Sequence, residues 1–310
     1  MAPPRPSLVV PIVLIVLVVA GAGAGTVLLY EYNHPKSAAP LPTVQLGDNI
    51  TVNYIGEFGA GPQLGRVFDT SFYSVATNNV SYPKSLEFAY RGSASLYSPL
   101  PVHVGPSGSY SIGSLTFGTV VPGFWQGLLG LQVNHTTAIT FPSSEGYGPV
   151  IPACTVVRPL VTSVPVILSF TLAAFQKSYP SVNATAGVTF ADPTYGWTDL
   201  VLSANTTAVV VQNLPSLGWN VPGVGWAEVV TNLSATSITL TNELTPSNAG
   251  LVLGHSTTTV CGATRFIVTG VDLGAGTYTV QYDYSSSGGS VNAELQGATF
   301  TFLVTVVKIY

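Results

Sequence analysis

Four segments punctuated by glycine and aromatic residues follow one another between Val44 and Gly148. They are NYIG (Asn53 to Gly56), VFDTS (Val67 to Ser71), VVPGFWQGLLGL (Val120 to Leu131) and EGYG (Glu145 to Gly148). The first continues a stretch, Asn49 to Tyr54, that alternates and is rich in β-branched and aromatic residues, and it predicts a strand. Thr137 to Phe141 and Ala298 to Ile309 predict strands on the same ground. Helical signal is scarce. Its best instance is Pro122 to Leu131, where Pro122 suits a helix start and Phe124, Leu128 and Leu131 recur at helical spacing. These patterns predict a mostly sheet α+β fold with a short helix.

The order and spacing of the four segments resemble FKBP-type peptidyl-prolyl cis-trans isomerases, whose landmarks are Y-x-G, V-F-D-S, V-I-x-G-W/F-x-x-G-L and a late A/G-Y-G. GATFTFLVTVVKIY (Gly297 to Tyr310) resembles the strand that closes such a domain, yet a long stretch separates it from EGYG. That plan is similar to the long, SlyD-like FKBPs of bacteria and archaea, whose insert-in-flap domain is a chaperone module. The resemblance implies an FKBP-like antiparallel sheet wrapped on a short helix, formed by 44–148 plus 296–310. It also implies an inserted β-rich domain at 149–295.

The implied activity is cis-trans isomerisation of Xaa-Pro bonds in polypeptide substrates, coupled to folding of secreted or surface proteins. Such a bond has two nearly balanced isomers separated by about 18–20 kcal/mol, because the C–N bond has partial double-bond character. An apolar aromatic pocket that binds the twisted imide lowers that barrier, with no nucleophile, metal or cofactor required.

The resemblance implies site roles residue by residue. Tyr54 matches the first pocket tyrosine, and Phe68 and Asp69 match the pocket phenylalanine and its neighbouring carboxylate. Val120 and Val121 match the pair whose second backbone N–H binds a ligand carbonyl, and Phe124 stands where many members place a floor tryptophan. Tyr147 matches the late tyrosine whose hydroxyl reaches the substrate, and Phe302 an aromatic on the closing strand. Taken singly, Phe68, Phe124 and Phe302 are also what ordinary cores carry, Asp69 is also a turn cap, and Tyr54 and Tyr147 are also ordinary buried tyrosines. Their joint order separates the two readings.

Two stretches depart from the family pattern. Tyr73 to Pro101 is much longer than the usual short bulge and scatters Tyr73, Tyr82, Phe88, Tyr90 and Tyr97 among Ser, Asn and Pro, which suits either a lid or a decoration. It leaves HVG (His103 to Gly105) and SIG (Ser111 to Gly113) competing for the strand end before VVPGF, and the first is preferred. Within the insert, Gly196 to Gly218 is echoed by Gly225 to Gly250: Gly-Trp, an apolar strand, a polar turn, a second strand, then Asn and Pro before Gly. A looser third echo runs from Gly276 to Gly297. Chance similarity in Val/Thr-rich sequence is the alternative.

Leu8 to Leu29 carries no charge and is long enough to cross roughly 30 Å of hydrocarbon as a helix. It predicts a single-pass anchor at 8–30, a cytoplasmic 1–7, and a Pro-containing linker at 31–43 that holds an extracytoplasmic body off the membrane. A cleaved signal peptide is the competing reading. Asn49, Asn79, Asn134, Asn183, Asn205 and Asn232 each begin a glycosylation sequon, as in an extracellular glycoprotein. Cys154 and Cys261, the two cysteines, suit either a disulfide or two buried thiols.

Charged residues are 7% of the chain, against roughly 25% in an average soluble domain, with Lys plus Arg at 9 and Asp plus Glu at 13. No basic field exists to attract nucleic acid. The four histidines are scattered, and neither a metal-ligand motif nor a G-x-S-x-G elbow nor paired acids occurs, so no metal partner, hydrolase or glycosidase is expected. A low-charge, sequon-rich, anchored chain that resembles an FKBP with a SlyD-type insert looks archaeal, and so charge-poor a surface suits an acidic exterior. The alternative function is a non-catalytic cell-surface binding or adhesion protein that keeps an FKBP-like fold.

Overall fold

The computed structural model describes residues 41–286 and 289–310. The anchor at 8–30, the segment 1–7 and most of the linker lie outside the described residues. Among the described residues no helix is long and apolar enough to cross a membrane.

The chain is mostly β, in several sheets. The main sheet contains β1 (Asn49–Phe58), β2 (Val67–Thr70), β3 (Leu100–His103), β4 (Ser109–Ile112), β5 (Leu115–Gly118), β6 (Thr136–Phe141) and a closing strand, Phe300–Ile309. Its order is β4-β5-β3-β1-closing strand-β6, and β2 pairs with β1. β1 and the closing strand are antiparallel, with Tyr54 opposite Val304 and Gly56 opposite Phe302. The strand end beside β1 is the HVG one, because Asn49 pairs with His103 while Ser109–Ile112 forms an outer hairpin with β5.

Alternation drives this assembly. β1 buries Ile50, Val52, Tyr54 and Phe58, and the closing strand buries Phe300, Phe302, Val304 and Val306, all in one core. A short helix, α1 (Tyr73–Thr77), follows β2, and α2 (Pro122–Leu128) lies on the sheet. Two glycines four residues apart set how close α2 comes. A Cβ on Gly123 would lie 2.2 Å from Phe141 Cγ, and one on Gly127 2.2 Å from Ile139 Cγ2, so only a bare backbone fits against β6. The helix ends at Leu128, short of the expected Leu131. Gly130 takes a φ of 78° and donates its N–H to the Val44 carbonyl at 2.8 Å, turning the chain before Leu131 can continue the helix.

Between Gly148 and Gly297 the chain leaves the sheet and returns to the same point, where the Gly297 N–H donates to the Gly148 carbonyl at 3.0 Å. The intervening residues form three successive small sheets and a separate two-stranded ribbon. A single run supplies one strand to each of the three sheets: Thr155–Pro159 pairs with Thr277–Tyr282, Val161–Pro165 with Ser237–Asn242, and Ile167–Thr171 with Ala208–Leu214. The strands break at Leu160 and Val166, each just after a proline that cannot donate to a ladder. A third helix, α3 (Leu172–Ser178), then covers the third sheet with Phe175.

The sequence repeat has a structural meaning. Trp197 opens the hairpin Thr198–Ala204/Ala208–Leu214 but is buried in the core of the neighbouring sheet, with Val230, Ile238 and Leu240. Trp226 opens Glu228–Leu233/Ser237–Asn242 and packs into the next core along, with Phe266 and Tyr278. Each tryptophan thus fastens one layer to the next. The third echo is only partly matched. Thr277–Tyr282 pairs with the preceding Ala263–Asp272, while Tyr284–Ser286 and Gly289–Val291 form a separate two-stranded ribbon. The third unit starts earlier than the echo because Leu253–Val260 adds a further strand ahead of it. Cys154 and Cys261 form a disulfide with a Cα separation of 5.5 Å, which ties the start of the run to the turn after that added strand.

Candidate functional site

β1, β2, α2 and the closing strand direct side chains from distant parts of the chain onto one face. β1 carries Tyr54 inward, and β2 places Phe68 and Asp69 beside it, with Gly56 opposite Asp69 in the ladder. Gly56 is required here. A Cβ at that position would meet Phe302 Cε1 at 2.8 Å and Phe68 Cζ at 2.9 Å, so the two rings occupy the space a side chain would fill. Phe68 and Phe302 then meet edge to face at 5.4 Å between centroids, Phe302 and Phe124 at 4.7 Å, and Tyr54 and Phe124 at 6.2 Å.

The result is a cleft of about 440 Å³ lined by Tyr54, Phe68, Asp69, Val120, Val121, Phe124, Tyr147 and Phe302, together with Leu100 and Thr119. All eight residues singled out in the sequence line this one cavity. Phe124 and Phe302 are buried and form its floor, while Phe68 and Tyr147 meet edge to face at 6.4 Å. Val121 is the N-cap of α2, and its carbonyl accepts from the N–H groups of Phe124 and Trp125. Its own N–H has no intrachain acceptor among the described residues.

The polar edge of the cleft is a chain of three groups. The Tyr54 hydroxyl donates to Asp69 Oδ2 at 2.6 Å, and Arg91 Nη2 donates to Asp69 Oδ1 at 2.5 Å and to the Tyr54 hydroxyl at 3.4 Å. Asp69 Oδ1 also accepts the Thr70 N–H at 2.8 Å. Burial, then the Asp69 charge, pushes the Tyr54 hydroxyl above its ordinary range, so it stays protonated and donating. The Tyr147 hydroxyl is raised by the same two causes in the same order.

Arg91, Leu100 and Thr119 escaped the sequence reading. Arg91 comes from the long 73–101 stretch, where no motif marks it, and the available signal was the rarity of arginine in so uncharged a chain. That stretch is strapped down by the far end of the insert. Glu294 accepts from Ser85 Oγ at 2.8 Å, the Glu87 N–H at 3.2 Å and Gln63 Nε2 at 3.2 Å, and Arg265 pairs with Glu87 at 2.9 Å. Among the described residues no cluster of His, Cys, Asp and Glu could hold a metal ion.

The cleft can accept a compact apolar ring against Phe124 and Phe302, and its lining includes Val121, the Asp69 carboxylate and the Tyr54 and Tyr147 side chains as polar partners. No protein-family model matches this sequence, and no curated protein matches it.

Proposed function

We propose that the protein is a peptidyl-prolyl cis-trans isomerase of the FKBP type with a polypeptide-holding insert. The observation that carries the reading is the convergence of Tyr54, Phe68, Asp69, Val120, Val121, Phe124, Tyr147 and Phe302 on one aromatic cleft. A prolyl ring packs on Phe124 and Phe302 between Phe68 and Tyr54, and the Val121 N–H holds a substrate carbonyl. Water that hydrogen-bonds a planar imide reinforces its C–N resonance. Removing that water favours the twisted, less polar transition state over either planar isomer. Tyr54 and Arg91 hold the Asp69 carboxylate at the edge of the cleft, fixed before substrate arrives.

The insert supports the holding role through apolar side chains on its outer strand run, where Val157, Val161 and Ile167 are exposed. The Cys154–Cys261 disulfide supports an oxidising, extracytoplasmic setting, with 8–30 as the membrane anchor.

The test is cis-trans exchange of a proline peptide, followed by NMR with the wild-type protein and with Asp69→Ala/Phe124→Ala. Clear acceleration by the first and a large loss in the second are expected. Equal rates would select a binding or adhesion protein instead.

A further inference from the structure

The 73–101 stretch builds a second aromatic surface beside the cleft. Tyr73, Tyr90 and Tyr97 close a triangle with ring centroids 5.7, 6.3 and 6.4 Å apart. Tyr73 is 39% and Tyr90 50% exposed, so these rings are not there to fill a core. The cluster is nevertheless held in place. Lys84 Nζ donates to the carbonyls of Val75, Asn78 and Tyr82, pinning α1 and the turn behind it. The Tyr90 hydroxyl donates to the Tyr73 hydroxyl at 3.3 Å. The Tyr97 hydroxyl accepts the Arg91 N–H at 2.9 Å, and the Arg91 guanidinium lies over the Tyr97 ring at 5.2 Å. That same guanidinium grips Asp69 at the edge of the cleft, so the two surfaces are joined through one side chain.

We propose that the tyrosine triad is a subsite for a second proline, carried by a polyproline II stretch that flanks the bond being isomerised. The proposal rests on the isomerase reading of the cleft and names its preferred substrate class. A polyproline II chain has three residues per turn and no internal hydrogen bonds, so prolines three apart share one face while its carbonyls remain free. Tyrosines supply what that face needs: flat apolar rings for pyrrolidines and hydroxyls for carbonyls. Arg91 is neutralised by Asp69 and the triad is uncharged, which favours a neutral, extended partner over an acidic or basic one.

The experiment compares a peptide with a single Xaa-Pro bond and one with Pro-x-x-Pro, using the full chain and a Tyr73→Ala/Tyr90→Ala variant. Tyr97 is left intact because it positions Arg91. The wild type is expected to favour Pro-x-x-Pro by about tenfold in kcat/KM, chiefly through KM, and the variant to bring the ratio to about one. A Tyr73→Phe/Tyr90→Phe protein, which keeps the rings, retains most of the preference and serves if the alanine variant fails to fold. A wild-type ratio near one, or a ratio that survives loss of the rings, overturns the proposal. Anisotropy of a labelled Pro-x-x-Pro peptide separates the two levels. Ring-dependent binding without isomerisation would sink the enzyme and leave the triad standing. Isomerisation with no ring-dependent binding would sink the triad alone.

Discussion

Arg91 Nη2 lies 2.5 Å from Asp69 Oδ1, so a residue of the long 73–101 stretch completes a site otherwise built from strands and one helix. Both side chains are about two-fifths exposed, and a pair that wet contributes little to stability. Its role is to orient. Arg91→Ala is therefore expected to lower kcat/KM about tenfold, while the melting temperature stays within a few degrees. Arg91→Lys should recover only part, because an ammonium lacks the flat guanidinium face that lies over the Tyr97 ring while bonding Asp69. Steady-state kinetics beside a thermal melt decide it.

Gly127 tests how α2 is seated. A methyl there would stand 2.2 Å from Ile139 Cγ2, so Gly127→Ala should lift the helix from β6 and cost about 1–3 kcal/mol despite the higher helix propensity of alanine. Urea denaturation measures the loss. An unchanged or raised midpoint would contradict the packing described.

The Cys154–Cys261 bridge spans 107 residues of sequence. In the chain-entropy account a loop that long is worth about 4–5 kcal/mol. Reduction, or a Cys154→Ser/Cys261→Ser pair, should lower the melting temperature markedly. The cleft lies outside the loop, so exchange activity at low temperature should persist.

Acid should stabilise this protein. Burial, then the charge of Asp192, pushes the Asp199 carboxyl up to about 7, and burial, then the charge of Asp283, pushes Glu87 up to about 7. Burial also raises Glu57, Glu228 and Glu294. An unfolded chain releases these protons near pH 4, whereas the folded one keeps them longer. Stability is thus full below about pH 4 and declines as pH climbs toward 7. The melting temperature at pH 4 should exceed that at pH 8, and Asp199→Asn should flatten the difference. A higher value at pH 8 would refute this.

The cleft was legible because its chemistry sits in short local patterns. Gly56 between two ring-bearing strands, Asp69 after Phe68, and Pro122 opening α2 each announce a local geometry, and the period-2 pattern of Phe300, Phe302, Val304 and Val306 announces the closing strand. Arg91 was not legible, since what places it is long-range: Glu294 and Arg265, some two hundred positions later, anchor its loop. The end of α2 was misjudged because Leu131 keeps helical spacing while Gly130 turns the backbone. The third repeat unit was misplaced because its hairpin lacks the Gly-Trp start of the other two. The layering of the insert was out of reach, as nothing local reveals that Trp197 belongs to the neighbouring core.

The pairing of one continuous run with three later hairpins sets a timetable for a chain emerging from the ribosome. Ile167–Thr171 meets Ala208–Leu214 soonest, Val161–Pro165 waits for Ser237–Asn242, and Thr155–Pro159 waits for Thr277–Tyr282. Each closure shortens the free chain that the next must gather, and the entropic cost of gathering grows only slowly with length. β1 waits longest, until the final ten-residue strand brings Phe302. A nascent chain stalled before that point would hold a finished arm and an open, incomplete cleft.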